Sequence, residues 1–308
     1  MKKIGIIVTD PDDPTAIAFG KACQKNNVEH QIMDLREARV SIENKTQWRI
    51  GEIDPLQFDA IIIRDVGAGA FEGVSFRFDI LRQLEKEGVL VVNSPSAIQN
   101  AANKYYASCL LSNKGLPIPR TKVVQDTESA IEVLKEMKDA VIKPVFGYKG
   151  MGLHRIKNGM VMPANGTQPK KLASDNIDQL LEQRGMLYIQ EFIENPGRDI
   201  RAFVVNGKLI GAIYRTAPEG SWINNLSQGG SASQCNLSAE QEEICIKAAG
   251  SIGAFFAGVD LVEKIDRHNN VEENLILEVY GTPSVAGIYK AWGINAANDI
   301  IRDVIKEI

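Results

Sequence analysis

The sequence predicts an α/β protein that opens with a doubly wound parallel sheet and continues as α+β. Three observations carry this expectation. Over roughly the first hundred residues short β-branched runs alternate with amphipathic helical patterns, the signature of strands joined by crossover helices. From residue 187 the pattern turns strand-rich, with MLYIQEFI, DIRAFVV and KLIGAIYRT in succession. The length, 308 residues, exceeds what a single core of about 100 to 200 residues accommodates. The expected division is an N-terminal α/β domain over 1–95, a central part over 96–186 and a C-terminal part over 187–308.

In the first part, KIGIIV, HQIMDL, FDAIIIRD and VLVVNS read as strands, and TAIAFGKACQKN and VSFRFDILRQLEKEG as the helices between them. The strand runs are apolar on both faces, as expected of strands covered on both sides. SAIQNAANKYYASCLLSNKG then reads as one helix stopped at Gly115. The central part alternates strand (TKVV), helix (ESAIEVLKEMKD), strand (AVIKPV), a glycine loop, strand (LHRI) and helix (NIDQLLEQR). In the C-terminal part a long polar loop over 217–233 is followed by a helix over 239–256. Two strands ending in Asp260 and Glu278 and a terminal helix complete it.

Composition narrows the function. A hydrophobic content of 44%, a charged content of 24% and a formal charge of −4 describe an ordinary globular protein. Phosphate-neutralising surfaces are usually basic, so nucleic acid is not an expected partner. No apolar stretch approaches the roughly 20 residues a membrane span needs, and the charged tip of MKKIGIIVTD is unlike a secretory signal. A cytoplasmic protein handling small molecules is the expectation. Cys23, Cys109, Cys235 and Cys245 form no CxxC pair, and His30, His154 and His268 are far apart, so neither a zinc site nor a disulfide framework is indicated.

Four features suggest chemistry. In VIKPVFGYKGMGL, Lys143 ends a buried-looking strand, and Gly147, Gly150 and Gly152 free the following loop to approach an anion with its backbone. No Gly-Lys-Ser/Thr follows and the loop leads into a strand, so it is neither a Walker loop nor a dinucleotide fingerprint. A flap over phosphates and a ligand-free hairpin are both open readings. Arg201 and Arg215, on successive strands, either hold a carboxylate or phosphate in bidentate fashion or lie on the surface. The loop over 221–233, bearing Asn224 and Asn225, is a lid or simply mobile. Asp260 and Glu278 each lie in an apolar strand, where an unpaired carboxylate is costly, so a cation or a basic partner is expected for both.

Taken in order, NKYYASCLLSNKGLPIPRT, VIKPVFGYKGMG, IQEFIENPGRDIRAFVVNGKLIGAIYR, NNLSQGG, FFAGVDLV and LEVYGTPSVAGI resemble the ATP-grasp superfamily, in particular its RimK-like α-L-glutamate ligases. The resemblance implies a three-domain ATP-grasp fold with ATP clamped between two antiparallel sheets, and Mg2+ (or Mn2+) as the metal. It implies that Lys104 and Lys143 contact nucleotide phosphates beneath the loop of Gly147, Gly150 and Gly152. Glu191, Phe192 and Ile193 would form the adenine hinge, with Asp199 near the nucleotide. Asp260 and Glu278 match the metal-binding acids, Arg201 and Arg215 match positions that hold acyl phosphate or substrate carboxylate, and Asn225, beside Asn224, matches an asparagine of the nucleotide loop.

The activity so implied is an ATP-dependent carboxylate–amine ligase working through an acyl phosphate. It would add L-glutamate by its α-amine to a small carboxylate acceptor, such as a glutamyl-tailed coenzyme of the tetrahydromethanopterin or F420 type. A protein or carrier-protein C-terminus as acceptor, or nucleotide binding without catalysis, are the alternatives. A homo-oligomer, dimer or tetramer, is the family habit. Two departures stand out: Tyr280 occupies a position where many relatives have a metal-binding Asn, and Ser227 and Gln228 replace the His and Arg of the members that modify ribosomal protein.

Overall fold

The computed structural model describes residues 2–147, 150–164 and 168–308. Its N-terminal layer is a parallel sheet of β1 (Lys3–Ile7), β2 (Glu29–Met33), β5 (Ala60–Ile63) and β6 (Leu90–Val92), in the order β2-β1-β5-β6. Helices α1 (Pro14–Lys25) and α2 (Phe71–Lys86) serve as crossovers. Apolar residues on both strand faces are explained by two separate cores. Ile4, Ile6 and Ile62 pack with Phe19 of α1, whereas Ile7, Ile61 and Ile63 pack with Leu81 and Leu84 of α2. An antiparallel hairpin, β3 (Ala38–Ile42) with β4 (Thr46–Ile50), lies in a stretch with no strand expectation. Only Trp48 and Ile50 of it are buried, so its apolar alternation is faint.

The stretch expected to form one helix after β6 forms two, α3 (Pro95–Ala102) and α4 (Lys104–Asn113). Asn103 separates them in an extended conformation, φ −90° and ψ 96°, and its side chain accepts from the Tyr106 N–H as the N-cap of α4. Asn is favoured at such caps because it satisfies an orphan donor of the first turn. The break places Lys104 in the first turn of α4, facing the centre of the molecule.

The central layer is a six-stranded antiparallel sheet ordered β11-β10-β9-β8-β12-β7. It comprises β7 (Thr121–Val124), β8 (Asp139–Lys143), β9 (His154–Lys157), β10 (Met160–Met162), β11 (Lys170–Lys171) and β12 (Leu187–Glu191). Helices α5 (Thr127–Met137) and α6 (Ser174–Arg184) cover one face. The third layer is a five-stranded antiparallel sheet ordered β15-β14-β13-β16-β17. Its strands are β13 (Arg198–Val205), β14 (Lys208–Thr216), β15 (Ser231–Cys235), β16 (Phe256–Ile265) and β17 (Val271–Tyr280). Part of the expected polar loop is therefore the edge strand β15.

The helix α7 (Ala239–Ser251) stops before Gly253, φ 77°, so Phe256 begins a strand instead of ending a helix. The C-terminal helix is two, α8 (Ala286–Trp292) and α9 (Ala296–Glu307), separated at Gly293 in the left-handed conformation. The apolar face of α9, Ile300, Ile301 and Val304, joins the core of α1 and β1 to Phe203 and Phe256 of the third sheet. The first and third layers thus share one core. Among the described residues no helix is long and apolar enough to cross a membrane.

Candidate active site

The second and third sheets face each other across a cleft. Its floor includes the ends of β8 and β12, and its opposite wall includes β13, β14, β16 and β17. Of the expected site residues, Lys104, Lys143, Gly147, Gly150, Glu191, Phe192, Ile193, Asp199, Arg215, Asn224, Asn225, Asp260 and Glu278 all line it. Arg201 and Gly152 do not; Arg201 is bonded to Asp260, which does, and Gly152 is bonded to Arg184, which does not. Tyr148 and Lys149 of the glycine loop lie outside the described residues.

The acids are paired by strand register. Asp260 sits mid-strand in β16 and not at a strand end, directly opposite Glu278 of β17 and Arg201 of β13. Its cationic partners are the two arginines. Arg201 donates to both oxygens of Asp260, with Nη2 at 3.0 Å from Oδ2, and Arg215 Nη2 donates to Oδ2 at 2.7 Å. Arg215 also holds Asp199 with two bonds of 2.7 and 2.8 Å. All of Asp199, Asp260 and Arg215 are buried. Arg201 is half-buried with its guanidinium turned onto Asp260, so neither arginine is a free surface side chain.

Burial works against the Asp260 carboxylate, but Arg201 and Arg215 outweigh it and hold the group below its usual range. Asp199 has Arg215 alone at hydrogen-bonding distance, and burial pushes its carboxyl above the usual range. The Asp260–Arg201–Arg215–Asp199 chain spans three strands and balances two negative charges with two positive ones. Such a network is costly to break, because removing one member strands a buried charge.

Glu278 has different neighbours. Lys104 Nζ lies 3.5 Å from Oε1, and the Tyr280 hydroxyl donates to Oε2. Tyr280 is half-buried, and desolvation of its hydroxyl together with Glu278 and Asp260 pushes the phenol well above the usual range, so it stays a neutral donor. The Arg201 guanidinium lies over its ring at 4.4 Å, a cation–π contact. The phenol thus braces the acid from one side and the arginine from the other.

The cations of the floor are held by short bonds. Lys104 Nζ donates to Gly147 O at 2.9 Å and the Lys104 N–H to Val145 O at 3.2 Å, so α4 anchors the start of the glycine loop. Lys143 Nζ donates to Gln190 Oε1 at 2.7 Å, and Gln190 donates in turn to the Tyr188 and Thr121 hydroxyls. Desolvation pushes the Lys143 ammonium below its usual range, with Lys104 adding to it and Glu278 opposing. Gln190 was not an expected site residue, although a lone Gln within the apolar LYIQEFI was the available signal. At the loop's other end Arg184 Nη2 donates to Gly152 O at 2.9 Å.

The polar loop of the third sheet reaches back over the cleft. A Cβ on Gly150, whose φ is +72°, would lie 2.9 Å from Asn225 Oδ1 and 3.1 Å from Ile223 Cγ2. Only glycine accommodates both that backbone angle and that approach. Trp222 donates to Met162 O at 3.3 Å and meets the Phe192 ring edge-on at 6.3 Å, while Arg155 covers Phe192 at 3.3 Å. The enclosed volume is about 110 Å³. Ligand pockets commonly span roughly 300–1,000 Å³, so the cleft is narrow beside them.

Two antiparallel sheets closing on a lysine- and acid-lined cleft, behind a parallel N-terminal sheet, are the architecture of an ATP-dependent ligase. The RimK-like ATP-grasp domain matches residues 101–304, and the chain belongs to that family. It is 54% identical to the tetrahydromethanopterin:α-L-glutamate ligase of Methanosarcina acetivorans over 98% of both chains. With the ligase of the same name from Methanocaldococcus jannaschii it shares 33% over 99% of both. In fold it resembles the ATP-grasp ligase PsnB complexed with minimal precursor, Mg and ADP, with a TM-score of 0.68 and 19% identity over 98% of this chain and 97% of that one. The RimK domain ATP-grasp protein of Sphaerobacter thermophilus gives a TM-score of 0.70 at 16% identity over 98% and 99%.

Proposed function

We propose that the chain joins the α-amine of L-glutamate to a carboxylate of a tetrahydromethanopterin-type coenzyme, using ATP and Mg2+. The observation that carries this is the end-to-end 54% identity to a relative of that name. The cleft supports it chemically. A carboxylate is a poor electrophile, so ATP phosphorylates it to an acyl phosphate, and the amine then displaces phosphate. Such transfer is governed by positioning and charge stabilisation.

The residues divide the work accordingly. Lys104 and Lys143 bind the phosphates, and the loop from Gly147 to Gly152 offers its backbone to them. Glu191 to Ile193 hold the adenine, with Phe192 and Trp222 as aromatic walls. Arg201 and Arg215 stabilise charge on the transferring group and orient the acceptor carboxylate. The loop bearing Asn224 and Asn225 excludes water, which would hydrolyse the acyl phosphate. Asp260 and Glu278 lie face to face as oxygen donors, with Asp260 held ionised, and this set fits a hard divalent cation. Mg2+ held there would neutralise phosphate charge.

The test is product analysis after incubating tetrahydromethanopterin with L-glutamate and ATP. A mass gain of one glutamyl residue, with release of ADP and phosphate, is expected. A gain from another amino acid, or no gain beside turnover on a carrier-protein terminus, overturns the proposal.

A further inference from the structure

A second cavity, of about 300 Å³, opens from the far side of the Lys104–Glu278 pair. It shares Lys104, Gly147, Leu277, Glu278 and Tyr280 with the nucleotide cleft, so its inner end is the Lys104–Glu278 pair. Away from that end its walls are Ile98 and Ala101 of α3, Ala107 and Leu111 of α4, and Val279 of β17. The only polar side chains among the remaining lining residues are Ser108 and Thr282. Phe146 stands at its rim, 74% exposed, on a loop that Lys104 pins at both Val145 and Gly147. An exposed aromatic ring on a fixed backbone is a ready stacking partner.

We propose that this chamber is the acceptor subsite and that it takes a planar, uncharged heteroaromatic body, leaving the acceptor's carboxylate arm to extend past Tyr280 towards Asp260 and Arg201. The inference rests on the pterin-coenzyme reading above. The chamber's chemistry selects among the three substrates. Glutamate carries two carboxylates and an ammonium, and among the described residues the chamber's lining supplies one cation, Lys104, already facing Glu278 at 3.5 Å. ATP phosphates need the lysines and glycine loop of the other cavity. A flat ring system suits apolar walls of alanine and branched aliphatic side chains, and part of its polar edge can meet the Thr282 hydroxyl and that of Ser108, which also bonds Tyr188.

The test fills the chamber from its rim. Ala102, exposed at the end of α3 and lining the chamber, becomes Phe; Phe146→Ala, at an exposed position, is the second variant. Each is expected to raise the KM for tetrahydromethanopterin about tenfold, the equivalent of about 1.4 kcal/mol. ADP affinity by calorimetry should stay within about twofold. In the wild type 6-methyltetrahydropterin, which lacks the carboxylate arm, should inhibit competitively against the acceptor, and Ala102→Phe should weaken that inhibition. An unchanged acceptor KM in both variants, or equal losses of acceptor and ADP affinity, overturns the proposal. If the wild type does not glutamylate tetrahydromethanopterin, the functional reading fails and the chamber is decided by calorimetry with 6-methyltetrahydropterin. Binding that weakens in Ala102→Phe upholds the subsite, and binding that is absent or unaltered rejects it.

Discussion

Arg215→Met would remove the guanidinium that Asp199 and Asp260 share. Asp260 keeps Arg201, but Asp199, 6% exposed, loses both of its bonds from Arg215. Stranding one charge of a buried pair costs about 3–5 kcal/mol, a large part of a total stability of about 5–15 kcal/mol. Urea denaturation at neutral pH should show that loss as a lower midpoint. Acid should restore part of it. Burial already raises the folded Asp199 pKa above 3.8, so its proton is bound more tightly folded than unfolded. The deficit is therefore smallest below pH 3.8 and grows as pH rises through the folded pKa. Arg215→Met/Asp199→Leu, which replaces the orphaned charge with an apolar side chain, should regain most of the stability. A single-variant loss under about 1 kcal/mol, the scale of an exposed pair, would refute this account. So would a double variant no better than the single one.

Three further outcomes follow from the same geometry. Lys143→Met should weaken ADP binding roughly 10- to 100-fold, since a bond to a charged group contributes about 1.5–3 kcal/mol; calorimetry giving equal affinities would contradict its phosphate role. Because Lys143 is held below its usual pKa, an arriving polyphosphate should draw a proton onto it at alkaline pH. That uptake should appear as a buffer-dependent binding enthalpy in the wild type and vanish in Lys143→Met. Tyr280→Phe keeps the ring under Arg201 and deletes the bond to Glu278; the Mg2+ dependence of ADP binding should shift, and an unaltered Mg2+ titration would argue against the brace. Asp13→Ala removes the N-cap of α1 and the partner of Arg64, which reaches on to Thr282 O. The loss should be about 1–2 kcal/mol at pH 7. Burial opposes the Asp13 charge, but Arg64 and the backbone amides outweigh it, so its pKa is lowered and its contribution is present above pH 3.8 and lost in stronger acid. Equal stabilities of variant and wild type at pH 7 would sink this assignment.

Legibility differed from element to element. The parallel strands β1, β5 and β6 were readable because burial on both faces leaves continuous apolar runs, whereas the hairpin β3–β4 buries only two of its side chains and left a faint pattern. The break at Asn103 was hidden because the residues on both sides are good helix formers, and only the cap geometry shows it. Among site residues, Lys143 and the two acids announced themselves as charges within apolar strands, and the glycines by their spacing in the loop after β8. Gln190 and Trp222 did not, since a single polar residue in a strand and a single aromatic in a loop have many ordinary explanations.

The sequence by itself determined the α/β class, the family resemblance and the inventory of acids, lysines and arginines, because each depends on residue type and local periodicity. It left open whether Asp260 and Glu278 meet a metal or a basic partner. Only the antiparallel register, which sets Asp260 opposite both Glu278 and Arg201, brought the two acids face to face and set basic side chains beside each, the arginines at Asp260 and Lys104 at Glu278. The pairing of Arg201 with Asp260 joins strands far apart in the chain, and the sequence of one strand does not name the strand that packs beside it.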